Sequence, residues 1–330
     1  MPPRFLIFGG GSIGAVIAYL LSQSIPPSDI IVVCRSNYDV ISKHGFTINS
    51  TTWGSNLHVQ PTVVKSVTEA AQHASNGFAY ACITAKAVSD SSTRHAELLK
   101  PAISRQTTIV LMQNGIGIEA PYKAVFGDNA IASAVLYTPC TQTAPGVYSH
   151  TLLTQIFVGT YPAVDTPEHK ASIARLVELL TKGGASATHD DDVQLARWKK
   201  LLINGSENPI CALSRLRDAA FFRTDPGAEG FMRDVMVELA HIARKMGYDC
   251  IDEEVVDQQL GLLTSREMPG VEPSMMADAL AGQQMEVECI IGNAMRMAHR
   301  MDVAVPRVEA LYYLAKALNV SFLQNGVGSP

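Results

Sequence analysis

The chain has 330 residues, a formal net charge of −5 at pH 7 and six scattered cysteines. This length is enough for two domains. The acidic balance excludes the basic surface typical of nucleic-acid binding, and no apolar run approaches the roughly 20 residues of a membrane-spanning helix. Because the cysteines lack the paired spacing of a disulfide framework or a zinc site, we expect a reducing, cytoplasmic setting.

The first apolar segment, residues 5–8, predicts a buried strand, and glycines follow it at once in the order Gly9-x-Gly11-x-x-Gly14. In this pattern the first glycine permits a tight turn, the second lets a pyrophosphate approach the backbone, and the third lets the next helix pack closely. A helix N-terminus beyond them favours phosphate. A merely tight strand-to-helix turn is the alternative, but the position between strand and helix favours a dinucleotide site. The residues expected to line it are Gly9, Gly10, Gly11, Ser12, Ile13 and Gly14.

The end of the second predicted strand, residues 30–34, indicates which dinucleotide is bound. NAD-binding sites carry an acidic residue about 20 positions after the glycines, where it binds the ribose 2′-hydroxyl. This chain has Arg35 and Ser36 there instead. A guanidinium pairs with a 2′-phosphate, so the sequence favours NADP(H) over NAD(H). An arginine that only solvates a strand end is the alternative, and it leaves the missing acid unexplained.

Two further apolar runs predict buried strands at 79–85 and 108–112, and polar side chains follow both. Lys86 follows the first, and Asn114 with Gly115 follows the second. Ligands of doubly wound sheets collect at the carboxyl ends of strands, so both are candidate site residues. Asn114-Gly115 is equally well explained as a turn. Other strands are predicted at 45–49, 58–61, 130–136, 146–150, 155–158 and 185–188.

The pattern becomes helical from residue 190 to the end of the chain. We therefore predict an α/β domain over 1–189, built on a doubly wound sheet, and an all-α domain over 190–330. Residues 266–273, with two prolines and a glycine, predict the one long connection in the helical half.

Within the helical half, Lys200, Asn204 and Asn208 are spaced at i, i+4 and i+8, which lines them on one helix face. Asparagine is a poor helix former, and Asn208 precedes Pro209. A row of two amides and one ammonium beside apolar neighbours therefore indicates a functional polar stripe. A plain solvated face is the alternative.

A second helix is predicted from 274 to 300, with Glu286 on an otherwise apolar face shared with Ile290 and Asn293. An acid in such a place either meets a cation or titrates abnormally. The alternative, an exposed glutamate, fits Glu288 better than Glu286. The methionine-rich run 285–301 is interpreted as core or subunit-contact packing, which leaves a homodimer open.

These residues together resemble the ketopantoate reductase (2-dehydropantoate 2-reductase) family, in motifs spread over nearly the whole chain. The matching segments are Gly9-x-Gly11-x-x-Gly14, Arg35, Thr84-Ala-Lys86, Gln113-Asn114-Gly115, Trp198-x-Lys200-x-x-x-Asn204-x-x-x-Asn208-Pro209, and Pro273-Ser274-Met275-x-x-Asp278 with Glu286. The resemblance implies a Rossmann-type NADP-binding domain at 1–189 and a helical substrate and dimerisation domain at 190–330. It also implies NADPH as cofactor and the reduction of a branched 2-keto acid.

The resemblance also implies roles for single residues. Lys200 resembles the family's catalytic lysine, which would donate a proton, and Glu286 resembles its acid that contacts substrate and cofactor. Residues resembling those that orient the substrate are Asn114, Asn204, Asn208 and Ser274; those resembling cofactor contacts include Lys86 and Asn114.

Two departures from the family pattern leave the substrate open. Members usually carry an asparagine after the Asn-Pro helix, where this chain reaches Asp218, and often one before the Ser-Met pair, where it has Val271. An acid and an apolar group in place of amides should weaken binding of a small hydroxylated keto acid. The alternatives are a paralogue with the same chemistry on another ketone or 2-keto acid, and an NADPH-binding sensor without activity.

Overall fold

A computed structural model describes residues 3–74, 77–88, 91–152 and 154–324, without the side chains at 91 and 92. The chain divides into two compact units. The first comprises Met1–Lys86, Ser91–Gln113 and Ile118–Val193; the second comprises Ala87–Asp90, Asn114–Gly117 and Gln194–Pro330. The two short segments of the second unit interrupt the first half of the sequence, which a single division at 189/190 does not anticipate.

The first unit is built on an eight-stranded sheet. Its strands are β1 Phe5–Phe8, β2 Ile30–Val33, β5 Thr62–Val64, β6 Tyr80–Ile83, β7 Thr108–Leu111, β8 Ile131–Tyr137, β11 Gln155–Thr160 and β12 Ser186–His189. Their order in the sheet is β12-β11-β8-β7-β6-β1-β2-β5, and every neighbouring pair is parallel except β8 and β11. The central strands β1, β2, β6 and β7 are almost entirely buried, as their continuous apolar runs predict.

A second sheet of four strands, in the order β4-β3-β10-β9, belongs to the same unit. Its strands are β3 Phe46–Ser50, β4 Gly54–Val59, β9 Cys140–Ala144 and β10 Val147–His150. It contributes Phe46, Ile48 and Tyr148 to the core that also contains the central strands. The helices of this unit are α1 Ser12–Ser22, α2 Tyr38–His44, α3 Val67–Gln72, α4 Ser91–Leu99, α5 Ala120–Val125 and α6 Pro167–Lys182.

Among the residues described between 194 and 324, the second unit consists of helices joined by loops, without a strand. Its helices are α7 Val193–Ser214, α8 Asp218–Phe222, α9 Ala228–Lys245, α10 Glu253–Thr264, α11 Ser274–Leu280, α12 Asn293–Arg300 and α13 Pro306–Gln324. The longest, α7, continues through Pro209. Among the described residues, none of these helices is long and apolar enough to cross a membrane. The predicted fold class, a doubly wound α/β sheet followed by an all-α domain, is confirmed.

The predicted helix over 274–300 is wrong. Helix α11 ends at Leu280, and Gly282 then adopts a left-handed φ of +64°, which is a common way for a helix to end. A non-helical stretch reaches Glu286 before a wider π-helical turn, Glu288–Gly292, leads into α12. Glu286 therefore lies immediately before a helix and not on the face of one. In the methionine-rich run, Met285 and Met295 are buried inside this unit, whereas Met297 and Met301 are partly exposed.

Candidate active site

The strand register of the sheet brings the predicted cofactor residues of the first unit to one edge. Phe8 lies opposite both Val33 and Ile83, and Ile83 lies opposite Leu111. The segments that follow these four strands therefore begin at the same level of the sheet. Gly9, Arg35, Lys86 and Gln113 each lie within three residues of a strand end at this edge.

Each glycine of the loop after β1 meets a different steric requirement. Gly9 has a φ of +124°, and an added Cβ would collide with the backbone of Ala85. At Gly14 an added Cβ would collide with the carbonyl oxygen of Gly9. An added Cβ at Gly11 would meet none of the described residues within 4 Å, so they give no reason for a glycine there. A phosphate that approaches this backbone supplies one.

The N-terminus of α1 is suited to an anion. Its N-cap is the exposed Gly11, which has no side chain to cap the first turn. Two hydrogen bonds fix the carbonyl groups of the loop. The Thr84 hydroxyl donates to the Gly9 carbonyl at 2.8 Å, and the Tyr148 hydroxyl donates to the Gly10 carbonyl at 3.0 Å. A rigid loop with open N–H groups at a helix start fits the diphosphate of a dinucleotide. Ser12 and Ile13 open the helix and are both partly buried.

The two basic residues predicted at this edge, Arg35 and Lys86, are exposed. Arg35 follows β2 by two residues and lies near enough to His95 to help lower the pKa of that imidazole to about 4, mainly through burial and then through repulsion by Arg35 and Arg94. An exposed guanidinium beside a neutral histidine at the end of β2 is available to a 2′-phosphate.

In the second unit, three of the predicted residues form one hydrogen-bonded cluster. The Lys200 Nζ donates to the Asn114 Oδ1 at 2.9 Å, and the Asn114 Nδ2 lies 3.4 Å from the Glu286 Oε2. The other carboxylate oxygen, Glu286 Oε1, accepts the backbone N–H of Ala87 at 2.8 Å. The amide of Asn114 therefore lies between an ammonium and a carboxylate, and each end of the amide faces the group that suits it.

The environment of this cluster makes the ammonium a better acid than an ordinary lysine. The pKa of Lys200 is lowered from 10.5 to about 8, chiefly by burial and also by repulsion from Arg197, while attraction by Glu286 opposes the shift. Lys200 is then mostly protonated at pH 7 and releases its proton readily near that pH. Such tuning is typical of groups that transfer protons.

Arg197 is a residue that the sequence analysis missed. It is 3% exposed, and its Nη1 donates to the Gly115 carbonyl at 2.8 Å. The same turn is held from a second side, because the N–H of Ile116 donates to the Cys289 carbonyl at 2.8 Å. Gly115 has a φ of +95°, and an added Cβ would collide with Cys289. The signal was present: Arg197 precedes Lys200 by three residues and so shares its helix face.

The remaining predicted substrate residues form a second contact in this unit. The Asn208 Oδ1 accepts the N–H of Met275 at 3.1 Å and the Ser274 hydroxyl at 3.4 Å. Asn208 is buried and Ser274, at the start of α11, is exposed. Asn204 is partly buried and lies between Lys200 and Asn208 on α7. The predicted polar stripe thus makes contacts at both ends, one to Asn114 and one to α11.

The two departures from the family pattern are in contact with each other. The Asp218 Oδ1 accepts the backbone N–H of Val271 at 2.7 Å, and its other oxygen is paired with Arg266. Asp218 is 0% exposed, whereas the Val271 side chain is exposed. Asp218 therefore serves the protein's own loop and is not an acid facing a ligand.

Known proteins match the chain over most of its length. Residues 5–163 match the family model described as ketopantoate reductase PanE/ApbA, and residues 192–319 match the model of its C-terminal part. The chain belongs to the ketopantoate reductase family, whose members are oxidoreductases acting on keto groups.

Individual proteins agree with this assignment. The chain is 29% identical to an uncharacterized protein of Saccharomyces cerevisiae, over 94% of this chain and 92% of that one. The crystal structure of 2-dehydropantoate 2-reductase from Methylococcus capsulatus is 30% identical, covers 97% of both chains and superposes with a TM-score of 0.83. D-Mandelate dehydrogenase, solved with NADH and anilino(oxo)acetate, has the same fold at a TM-score of 0.83 and 19% identity, over 97% of this chain and 99% of that one.

Proposed function

We propose that this protein is an NADPH-dependent reductase of a 2-keto acid, with 2-dehydropantoate as the first candidate substrate and Lys200 as proton donor. The observation that carries the proposal is the contact between the Lys200 ammonium and Asn114, whose amide is in turn beside Glu286. The family supplies the reaction class, and this cluster supplies the groups that such a reaction needs.

The cofactor would bind along the loop from Gly9 to Gly14, with its diphosphate at the N-terminus of α1. Arg35 would pair with the 2′-phosphate, which is the basis for preferring NADPH. We further assign Lys86, Asn114 and Glu286 to the cofactor's surroundings, on the family resemblance. When bound, the reduced nicotinamide supplies the hydride that reaches the keto carbon.

The protein's own task is to place the ketone and to protonate its oxygen. Negative charge develops on that oxygen as the carbonyl is reduced, and a nearby ammonium stabilises the charge and then donates the proton. With a pKa of about 8, Lys200 is charged at pH 7 and still a usable acid. Asn114 holds the ammonium without neutralising it, and Glu286 offers an acceptor for a substrate hydroxyl.

The substrate would be oriented by Asn114, Asn204, Asn208 and Ser274. Amide and hydroxyl groups bind a carboxylate and a carbonyl without adding charge beside Lys200. We assign these roles on the family resemblance together with the observed Lys200–Asn114 and Asn208–Ser274 contacts.

A second candidate is a reductase with the same chemistry on a different ketone or 2-keto acid. The observation that favours it is that neither Asp218 nor Val271 offers an amide side chain to a ligand. Asp218 is instead ion-paired with Arg266 and accepts the Val271 N–H. The fold also accommodates other substrates, since D-mandelate dehydrogenase shares it.

The experiment is a steady-state panel of purified protein with NADPH and with NADH against 2-dehydropantoate and a series of 2-keto acids with branched, aromatic and unsubstituted side chains. Turnover of 2-dehydropantoate above all others supports the first candidate. Negligible turnover of it beside efficient reduction of another compound supports the second. NADPH binding without turnover of any compound would contradict both and leave a sensor.

Two further expectations remain proposals. We propose a homodimer, to be tested by analytical ultracentrifugation; Met285 and Met295 are buried within the chain and so would not form its contact. The cytoplasmic location expected from the cysteines stays a prediction, to be tested by fractionation of cells that express the protein.

A further inference from the structure

A buried group of charges in the second unit has no part in the proposed chemistry. The Arg266 Nη1 contacts two carboxylates at once: it lies 2.6 Å from the Glu207 Oε1 and is also paired with the Asp218 Oδ2. Glu207 belongs to α7, Asp218 opens α8, and Arg266 lies in the loop after α10. Both acids are buried, and the guanidinium is about one quarter exposed. We call these three residues the acid–arginine cluster.

The cluster holds the loop formed by residues 266–273. Besides the Arg266 pair, Asp218 accepts the N–H of Val271 at 2.7 Å. Gly270 makes this approach possible: its φ is +87°, and an added Cβ would collide with the Asp218 Oδ1 and with the N–H of Ala219. Both ends of the Asp218 carboxylate are thus committed to the loop.

The same loop leads directly to a proposed substrate residue. Ser274 follows it and starts α11, where its hydroxyl lies 3.4 Å from the Asn208 Oδ1 and the next N–H, of Met275, donates to the same oxygen at 3.1 Å. Glu207 and Asn208 are consecutive on α7. One end of the loop is therefore anchored through Glu207 and the other through Asn208.

We infer that Asp218 and Arg266 are positioning residues for substrate binding: they fix residues 266–273, and so keep Ser274 beside Asn208, without touching the substrate. The inference rests on the proposed roles of Asn208 and Ser274. It gives a function to Asp218, which departs from the family pattern. A charge-assisted contact in a buried site is directional and strong, so it restricts the loop more than a neutral contact would.

The test is the substitution Asp218→Asn, measured in the full chain with the best keto acid of the substrate panel. Asparagine keeps an oxygen for the Val271 N–H but turns a neutral amide toward Arg266. We expect KM to rise about tenfold, which corresponds to about 1.4 kcal/mol of binding free energy. We expect kcat to change less than about twofold, because Lys200 and Asn114 are untouched, and NADPH affinity to stay unchanged.

A glycine pair provides a second variant that leaves all charges in place. Gly270→Ala pushes against Asp218, whereas Gly261→Ala, in α10, adds a methyl group with no neighbour within 4 Å in the part of the chain that the structure describes. We expect Gly270→Ala to raise KM in the same way and Gly261→Ala to behave as the wild type. If Asp218→Asn does not fold, the comparison of KM between Gly270→Ala and Gly261→Ala tests the inference. A wild-type KM in Gly270→Ala, or a fall in kcat as large as the rise in KM, would overturn the inference.

Amide hydrogen exchange separates this inference from the proposed function. If the wild type reduces no keto acid, the proposed function fails, and the variants still report on the loop. The inference then requires that Asp218→Asn or Gly270→Ala speeds exchange at both Val271 and Met275, because the two anchors act on one loop. Faster exchange at Val271 alone would show that Ser274 is held independently of the cluster, and the inference would be wrong.

Discussion

The Lys200 ammonium donates to the side-chain oxygen of Asn114 at 2.9 Å, and this bond joins α7 to the short turn 114–117 within the helical unit. An amide oxygen fixes the direction of an ammonium but carries no charge that would hold its proton. A carboxylate in the same place would raise the pKa of the lysine. Burial and repulsion by Arg197 lower the pKa of Lys200 to about 8, and an amide in this place orients the side chain without raising that pKa.

Removing the ammonium should abolish most of the turnover and leave cofactor binding intact. We expect Lys200→Ala to lower kcat by a factor of about 10² to 10⁴, the usual contribution of a positioned general acid. NADPH binding, measured by the change in nicotinamide fluorescence, should stay near the wild-type value because the glycine loop is unchanged. Full activity in this variant would show that another group donates the proton.

The charge of Arg197 should set the pH at which activity declines. In the direction of keto reduction, Lys200 must be protonated, so kcat/KM should fall as pH rises through about 8. Arg197→Gln removes a charge that repels the Lys200 ammonium, so it should shift the decline in kcat/KM to higher pH. Arg197→Lys keeps the charge and should leave it in place.

The matched control for Arg197 is Lys199→Gln, which removes a charge from the same helix without removing a contact to the 114–117 turn. Its pH profile should match that of the wild type. If Lys199→Gln and Arg197→Gln shift the pH of the decline in kcat/KM equally, net charge and not the neighbouring guanidinium sets the pKa of Lys200.

Much of the fold could be predicted from the sequence because local pattern and tertiary role agree. Short runs around Phe5, Ile30, Tyr80 and Thr108 are apolar at successive positions, as a strand buried on both faces requires, and their shortness favours strands over buried helices. The change to helical periodicity after residue 190 is equally local. Lys200, Asn204 and Asn208 could be placed together because a helix relates them by spacing alone.

What could not be predicted depends on contacts between distant segments. Most residues of the stretch 279–287 favour a helix, and a single glycine within such a stretch does not by itself show that the helix ends. The sequence therefore does not reveal the break at Gly282, after which Glu286 lies outside a helix. Lys200 donates to Asn114 across 86 positions of the sequence, and Ala87 donates to Glu286 across 199 positions. Local pattern does not predict contacts at such separations. The pairing of Asp218 with Val271 is of the same kind, and it changes the interpretation of both residues.

Alanine substitutions at two glycines of the first loop should separate cofactor binding from folding. Gly11→Ala adds a methyl group in open space, so we expect unchanged stability and NADPH binding weakened by at least about tenfold, because the methyl group would stand where the diphosphate approaches. Gly14→Ala collides with the Gly9 carbonyl and should lower the melting temperature. Thermal unfolding and NADPH titration of both variants check this. Wild-type NADPH affinity in Gly11→Ala would place the cofactor elsewhere.

Arg35 should determine the choice between the two nicotinamide cofactors. We expect Arg35→Ala to weaken NADPH binding by about 10- to 100-fold, as the loss of a charge-assisted contact to phosphate implies, with little effect on NADH. Arg105→Ala, another exposed arginine of the same unit, is the control for a general loss of positive charge. Equal losses for both cofactors in Arg35→Ala would contradict the assignment of NADPH.

Glu207 should make the stability of the protein depend on pH in a direction unusual for a carboxylate. Its pKa is raised from 4.5 to about 7, chiefly by burial, against the opposing charge of Arg266 and with a further contribution from Asp218. Since the folded state binds this proton more tightly than the unfolded state does, the stabilisation is complete below about pH 4.5 and is lost as pH rises to about 7. Glu207→Gln removes this titration.

We therefore expect the free energy of unfolding of Glu207→Gln minus that of the wild type to be larger, and the variant relatively more stable, at pH 8 than at pH 5 by about 2 kcal/mol. Urea denaturation at both pH values measures it, since the difference between the two proteins cancels the titration of all other groups. Glu229→Gln, on the exposed side of α9, should show the same relative stability at both pH values. If the relative stability of Glu207→Gln is also the same at both pH values, Glu207 does not hold a proton between pH 5 and pH 8. Arg266 then neutralises both Glu207 and Asp218.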